Sequence, residues 1–184
     1  ESLSEAHEKG IIHRDLKPAN IHMAQMGHET DFVKVLDFGV AKFLYDDTCS
    51  GLTGTGMVVG TPYYMSPEQA SGLAMDHRSD LYSAGVVLYE LLVGHRLFQD
   101  PDPAEKLRKV RAAEVPDPRP ENAEISDELW DILARMLAKE PEERPATAGE
   151  AEEELWAYLY RSNLRADAHE LAQFMRSRFP DEAQ

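Results

Sequence analysis

Between Asp80 and Val93 the sequence is apolar on almost every side of a helical projection, with Leu81, Ala84, Val86, Val87, Leu88, Leu91, Leu92 and Val93 leaving no continuous polar face. A helix of that kind is buried on most sides, so the rest of the chain must be arranged around it. Other periodic segments are candidates for that shell. Leu3, Ala6 and His7 share a face ahead of Gly10 and read as the last turns of a helix already running at Glu1. Leu129, Trp130, Leu133, Met136 and Leu137 mark an amphipathic helix. Thr147-x-x-Glu150 reads as a capping box that opens another helix through Leu155, Trp156 and Leu159. Leu171, Phe174, Met175 and Phe179 give a final stripe stopped by Pro180.

Two short runs have strand character, Asn20-Ile21-His22-Met23 and Phe32-Val33-Lys34-Val35-Leu36, joined by a polar turn around Gly27-His28-Glu29. Residues 40–66 are rich in Thr, Ser and Gly and read as one long loop, which in a compact domain points to function or disorder. Pro116 to Pro120 is linker-like, and there is no internal repeat. The expected fold class is mainly α with one small β-hairpin. At 184 residues and 42% hydrophobic content the chain suffices for one core plus an appendage, not two full domains.

Charge narrows the partners. Nineteen basic against 34 acidic residues give a net charge of −15, which argues against nucleic acid or an anionic membrane surface. No apolar run reaches the ~20 residues that cross a bilayer, so no membrane segment is expected in this chain. Cys49 stands alone and cannot form an internal disulfide, so the cytosol is the expected compartment. The opening Glu1-Ser2-Leu3 is neither an initiator Met nor a signal peptide, and the chain is expected to begin inside something longer.

Chemistry is concentrated in two motifs. His13-Arg14-Asp15-Leu16-Lys17-Pro18-Ala19-Asn20 places five polar residues in one short loop, and Asp37-Phe38-Gly39 follows across the hairpin. The first resembles the catalytic loop of eukaryotic-type Ser/Thr protein kinases, and the second resembles their metal-binding motif. The tripeptide alone is weak; the two in this order are specific. Phosphoryl transfer needs positioning and charge neutralisation more than covalent chemistry, so few residues suffice. The resemblance implies Mg-ATP as cofactor, with Asp15 taking the substrate hydroxyl proton and Lys17 offsetting phosphoryl charge. It makes Asn20 and Asp37 the Mg²⁺ ligands, and it places His22 where the family usually has an apolar floor beneath adenine.

The likeness runs on. Gly60-Thr61-Pro62-Tyr63-Tyr64-Met65-Ser66-Pro67-Glu68 looks like the substrate-docking segment of a kinase. Its Glu68 implies a buried partner in Arg144 of Glu143-Arg144-Pro145, and Asp80 resembles the family Asp that accepts backbone N–H bonds from around His13 and Arg14. His13 and Phe38 are implied as structural residues. Lys17-Pro18 together with Thr61 resembles kinases that modify Ser and Thr. Arg14 beside Asp15 offers a cation to a phosphorylated loop, and Thr53-Gly54-Thr55 resembles the autophosphorylated threonines of bacterial receptor-like kinases. Ser66-Pro67-Glu68-Gln69-Ala70 also has a bacterial look.

The resemblance covers residues 1–158 and is confined to the family's C-terminal lobe, leaving 159–184 as a helical extension. A Gly-rich loop, a strand Lys and its helix Glu, which belong to the N-terminal lobe, are not found. Expected partners are therefore that lobe and proteins carrying Ser or Thr acceptors, in a cytosolic protein or the cytosolic part of a membrane-linked one. The alternative is a noncatalytic lobe acting as a binding module.

Overall fold

The computed structural model describes residues 2–26, 29–38 and 62–163. The helix α3 spans Arg78–Val93 and lies at the centre. It begins two residues before Asp80, because Asp76 Oδ1 accepts the Arg78 N–H at 2.8 Å and starts the first turn. Asp80 is thus inside the helix rather than at its opening. The sequence expectation of burial holds as far as Tyr89 and fails at the end of α3. Leu81, Tyr82, Val86 and Tyr89 are buried, whereas Leu91 is 76% exposed. Gly85 presses against Leu137, where a Cβ would stand 3.1 Å from the Leu137 side chain.

Around α3 the shell is helical. The short α1, Ser2–Glu8, ends at Gly10, whose φ of 72° is the left-handed geometry that glycine adopts without strain. Helix α2, Pro67–Ser71, opens with a capping box in which Ser66 Oγ takes the Gln69 N–H and Gln69 Oε1 takes the Ser66 N–H. Helix α5 covers Asp127–Met136, and α6 covers Ala148–Arg161 and passes through residue 158 without a break. Thr147 caps α6 by accepting the Glu150 N–H, but the Glu150 carboxylate accepts from Ala146 and not from Thr147, so the expected box is displaced by one residue.

Among the described residues, sequence periodicity missed two helices, the short α2 and α4, Pro103–Ala112. Helix α4 is mostly charged and buries only Val110, so it carries no broad apolar stripe. Its signals were local: Asp102 caps Ala104 and Pro103 stands at the first helical position. The core joins Tyr82, Val86 and Tyr89 of α3 to Phe98, Val110, Leu133, Leu137 and Ala70.

Strands β1, Ile21–Met26, and β2, Glu29–Val35, pair antiparallel, with Ile21 opposite Val35 and Ala24 opposite Phe32, and a bulge follows between Ala24 and Met26. Of the loop expected over 40–66, Pro62–Tyr64 forms a 3-10 turn and Ser66 caps α2. Thr53, Thr55, Thr61, Cys49 and the stripe from Leu171 to Phe179 lie outside the described residues, as does most of the 159–184 extension. Among the described residues no helix is long and apolar enough to cross a membrane.

Candidate active site

Asp80 organises the site from below. Its carboxylate, 1% exposed, accepts the backbone N–H of His13 at 2.7 Å and of Arg14 at 2.8 Å, and the His7 ring Nε2 lies 2.8 Å from Oδ2. Arg14 has φ of 66°, a strained conformation for a residue with a side chain. Its peptide is held at both ends, because Gln69 Nε2 donates to Arg14 O at 2.7 Å. Two long-range bonds therefore fix the turn that presents Asp15.

His13 joins the two motifs. It is fully buried, and its Nδ1 accepts from the Asp15 N–H at 3.3 Å. That bond leaves the proton on Nε2, which donates to Leu36 O at 2.8 Å, directly before Asp37. The His13 ring also meets Phe38 in a tilted contact with centroids 5.0 Å apart. A second tie runs through Asn20, whose carbonyl accepts the Leu36 N–H at 2.9 Å and whose Nδ2 donates to Asp15 O at 2.8 Å. Asp37 itself has φ of 58°, a second strained residue at the same place.

Asp15, Lys17, His22 and Asp37 are more open to solvent than Asn20. Asp15 is 53% exposed, and its Oδ2 lies 2.8 Å from Lys17 Nζ. An ion pair this open contributes at most about 1 kcal/mol and reorganises easily when an anion arrives. Asn20 is buried, and because Nδ2 is committed to Asp15 O, its Oδ1 is the atom left to serve as an oxygen ligand. Asp37 is exposed. His22 is exposed as well, with Nε2 3.1 Å from Ala19 O.

Behind the site, Arg144 and Glu68 form a two-fold ion pair, Nη1 to Oε1 and Nη2 to Oε2, both at 2.8 Å. Burial pushes the Glu68 carboxyl up, but the bonds from Arg144 and Ser79 outweigh it and hold Glu68 below the usual carboxylate range. Sequence reasoning missed three contributors: Gln69 on Arg14, Ser79 on Glu68 at 2.6 Å, and His7 on Asp80. None lies in either short motif, and although His7 shares the α1 face with Leu3 and Ala6, only the fold brings the three to their partners.

Residues 1–157 match the protein kinase domain, and the chain belongs to the protein kinase family. Among its relatives, serine/threonine-protein kinase pkn3 of Myxococcus xanthus is 48% identical over 160 residues, covering 85% of this chain and 29% of the relative. Serine/threonine-protein kinase PknB of Mycolicibacterium smegmatis is 44% identical over 156 residues, covering 84% and 24%. Serine/threonine-protein kinase Pkn1, also of M. xanthus, is 43% identical over 147 residues, covering 80% and 21%. The chain thus spans less than a third of the length of these relatives.

Proposed function

We propose that this chain is the C-terminal lobe of a Ser/Thr protein kinase and carries its phosphotransfer site. One observation carries the reading: the backbone of the Asp15 loop is tied to the Asp37 segment through His13 and Asn20, with strained residues on both sides. Strain of this kind costs about 1–3 kcal/mol per residue and persists where the surroundings over-determine it. A lobe kept only as a docking surface has no need for it.

Asn20 Oδ1 and the Asp37 carboxylate are hard oxygen donors, which suits Mg²⁺, an ion that binds through one or two protein groups plus water and phosphates. Bound Mg-ATP supplies the transferable γ-phosphoryl group. Asp15 would orient the substrate Ser or Thr hydroxyl and accept its proton as that oxygen bonds to the γ-phosphorus and the bond from phosphorus to the departing ADP oxygen breaks. Lys17, already beside Asp15, offsets the negative charge of the phosphoryl oxygens. Thr61, which together with Lys17-Pro18 resembles the Ser/Thr kinases, assigns the acceptor class to Ser and Thr. His22 borders the adenine side with its exposed ring turned back on Ala19.

The completing partner is an N-terminal lobe that contributes the Gly-rich loop and a Lys on the phosphates. Titration of Mg-ATP into the 184-residue chain and into the chain extended upstream tests this directly. Losing even one charge-assisted bond of roughly 1.5 kcal/mol weakens binding about tenfold, so the chain alone is expected to bind at least that much more weakly. A radiolabel assay is expected to show transfer only by the extended protein. Equal transfer by the chain alone refutes the two-lobe reading, and transfer by neither favours a noncatalytic binding module.

Regulation follows from Arg14. A phosphate on Thr53 or Thr55 adds close to two negative charges, which a cation beside the catalytic Asp can bind. Mass spectrometry of active enzyme is expected to find phosphate on one or both, and Thr53→Ala/Thr55→Ala is expected to lower activity. Full activity in that double variant, with phosphate only at other positions, removes the assignment.

A further inference from the structure

Tyr63 lies two residues beyond Thr61, in the turn Pro62–Tyr64 that leads into α2. Two cations from separate parts of the fold converge on its ring. Arg96, from the segment after α3, places Cζ 4.1 Å from the ring centroid. Lys106, from α4, places Nζ 4.3 Å from the centroid and donates to Tyr63 Oη at 3.0 Å. That bond outweighs burial and draws the Tyr63 phenol below its ordinary value.

These cations differ from their neighbours. Arg108 pairs with Glu105 and Glu114, and Lys109 pairs with Asp100 at 2.9 Å. Arg96 and Lys106 have no carboxylate within ion-pair distance among the described residues. An aromatic face is a weaker partner for a cation than a carboxylate is, so both retain capacity for an anion. An open hollow adjoins Arg96, lined by Tyr63, His95, Arg96, Gln99, Asp100 and Pro101, and Lys106 reaches its edge through the shared Tyr63 ring. Asp100 does not block it, because its Oδ2 is held by Lys109 and its Oδ1 accepts the Asp102 N–H. His95 is likewise turned to Glu121, at 2.6 Å.

We propose that Arg96 and Lys106 bind a carboxylate side chain of the protein substrate, so that the kinase selects Ser or Thr acceptors flanked by Asp or Glu. This rests on the kinase reading above and on the position of Tyr63 in the docking segment. The chain's charge of −15 does not oppose it. At physiological ionic strength charges more than about 8 Å away are largely screened, and the two nearby cations dominate the local field. A charge-assisted bond from Arg96, reinforced by the nearby charge of Lys106, then discriminates against an uncharged residue at the same position.

The test uses the upstream-extended kinase and a Thr peptide series in which each flanking position carries Ala, Glu, Lys or phosphoserine in turn. At one or more positions Glu is expected to exceed Ala by about tenfold in kcat/KM, the value of one such bond. In Arg96→Ala/Lys106→Ala the Glu-to-Ala ratio is expected to fall toward one, and in Arg96→Glu/Lys106→Glu the preference is expected to shift to Lys. No Glu preference in the wild type, or one that survives charge reversal, overturns the proposal. Preference for phosphoserine without preference for Glu overturns the carboxylate assignment. If no peptide is phosphorylated, the kinase reading fails by itself, and anisotropy of labelled Glu and Ala peptides with the 184-residue chain decides the site. Tighter, salt-sensitive binding of the Glu peptide that is lost on charge reversal upholds it, and equal binding refutes it.

Discussion

Asp15→Asn is expected to lower phosphotransfer by the upstream-extended kinase about 10²- to 10⁴-fold, the range that general base catalysis supplies. The substitution keeps shape and removes charge and basicity. Backbone bonds hold the loop independently of the side chain: the Asp15 N–H goes to His13 and its carbonyl accepts from Asn20. Among the described residues, the side-chain bond lost is the exposed contact with Lys17. Folding is therefore expected to change by no more than about 0.5 kcal/mol, as for an ordinary surface substitution. Mg-ATP affinity, set by other groups, is expected to stay near the wild-type value. Turnover measured beside calorimetric affinity separates the two effects. Wild-type turnover in Asp15→Asn removes the proton-accepting role, and a collapse of stability makes the residue structural.

What was legible in the sequence differed between motif and frame. The order of His13 to Asn20, then Asp37 to Gly39, then Glu68 and Arg144, was readable because the chemistry fixes residue type in short local strings. Helical periodicity located α1, α3, α5 and α6 because each buries an apolar face. It did not foresee that the deepest part of α3 includes Ser79, Asp80 and Ser83, each at most 3% exposed. Those polar groups are buried because each has a partner: Ser79 bonds Glu68, Ser83 bonds Tyr64 O, and Asp80 bonds the backbone of His13 and Arg14. Partners lying 11 to 67 positions away leave no periodic trace. Gln69 is the same case, since its bond to Arg14 O spans 55 residues and its own neighbourhood shows only a capping box. Helix α4 escaped for the opposite reason, being stabilised by its cap and by charged contacts with little burial. Parts of the site set by one segment can be read from the sequence, and parts set by two segments need the fold.

Arg144→Ala is expected to destabilise the protein by about 3–5 kcal/mol, the cost of leaving one member of a buried ion pair uncompensated. All five guanidinium N–H groups are used: two on Glu68, and the others on the carbonyls of Ala138, Lys139 and Arg78. The Arg144 and Glu68 side chains are 0% and 6% exposed, so water does not readily replace the lost donors. Arg144 Cζ also lies 4.9 Å from the Tyr82 ring centroid, and truncation opens space beside that core residue. Glu68→Gln combined with Arg144→Ala is expected to recover part of the loss, because a neutral amide is cheaper to bury than an unpaired carboxylate. The pH dependence has opposite signs in the two proteins. In the wild type Glu68 titrates below its unfolded value of about 4.3, so its stabilisation is present above that pH and is lost as acid approaches the lower folded value. In Arg144→Ala the Ser79 bond remains but the cation is gone, and burial, the largest influence on the group, is expected to raise Glu68 above the unfolded value. The penalty is then full at neutral pH and shrinks as acid protonates the group. Denaturant unfolding from pH 7 to pH 4 is therefore expected to show the two stabilities converging. A difference below about 1 kcal/mol at pH 7, unchanged toward acid, shows that the pair behaves as a solvated surface contact and that α2 is anchored by other means.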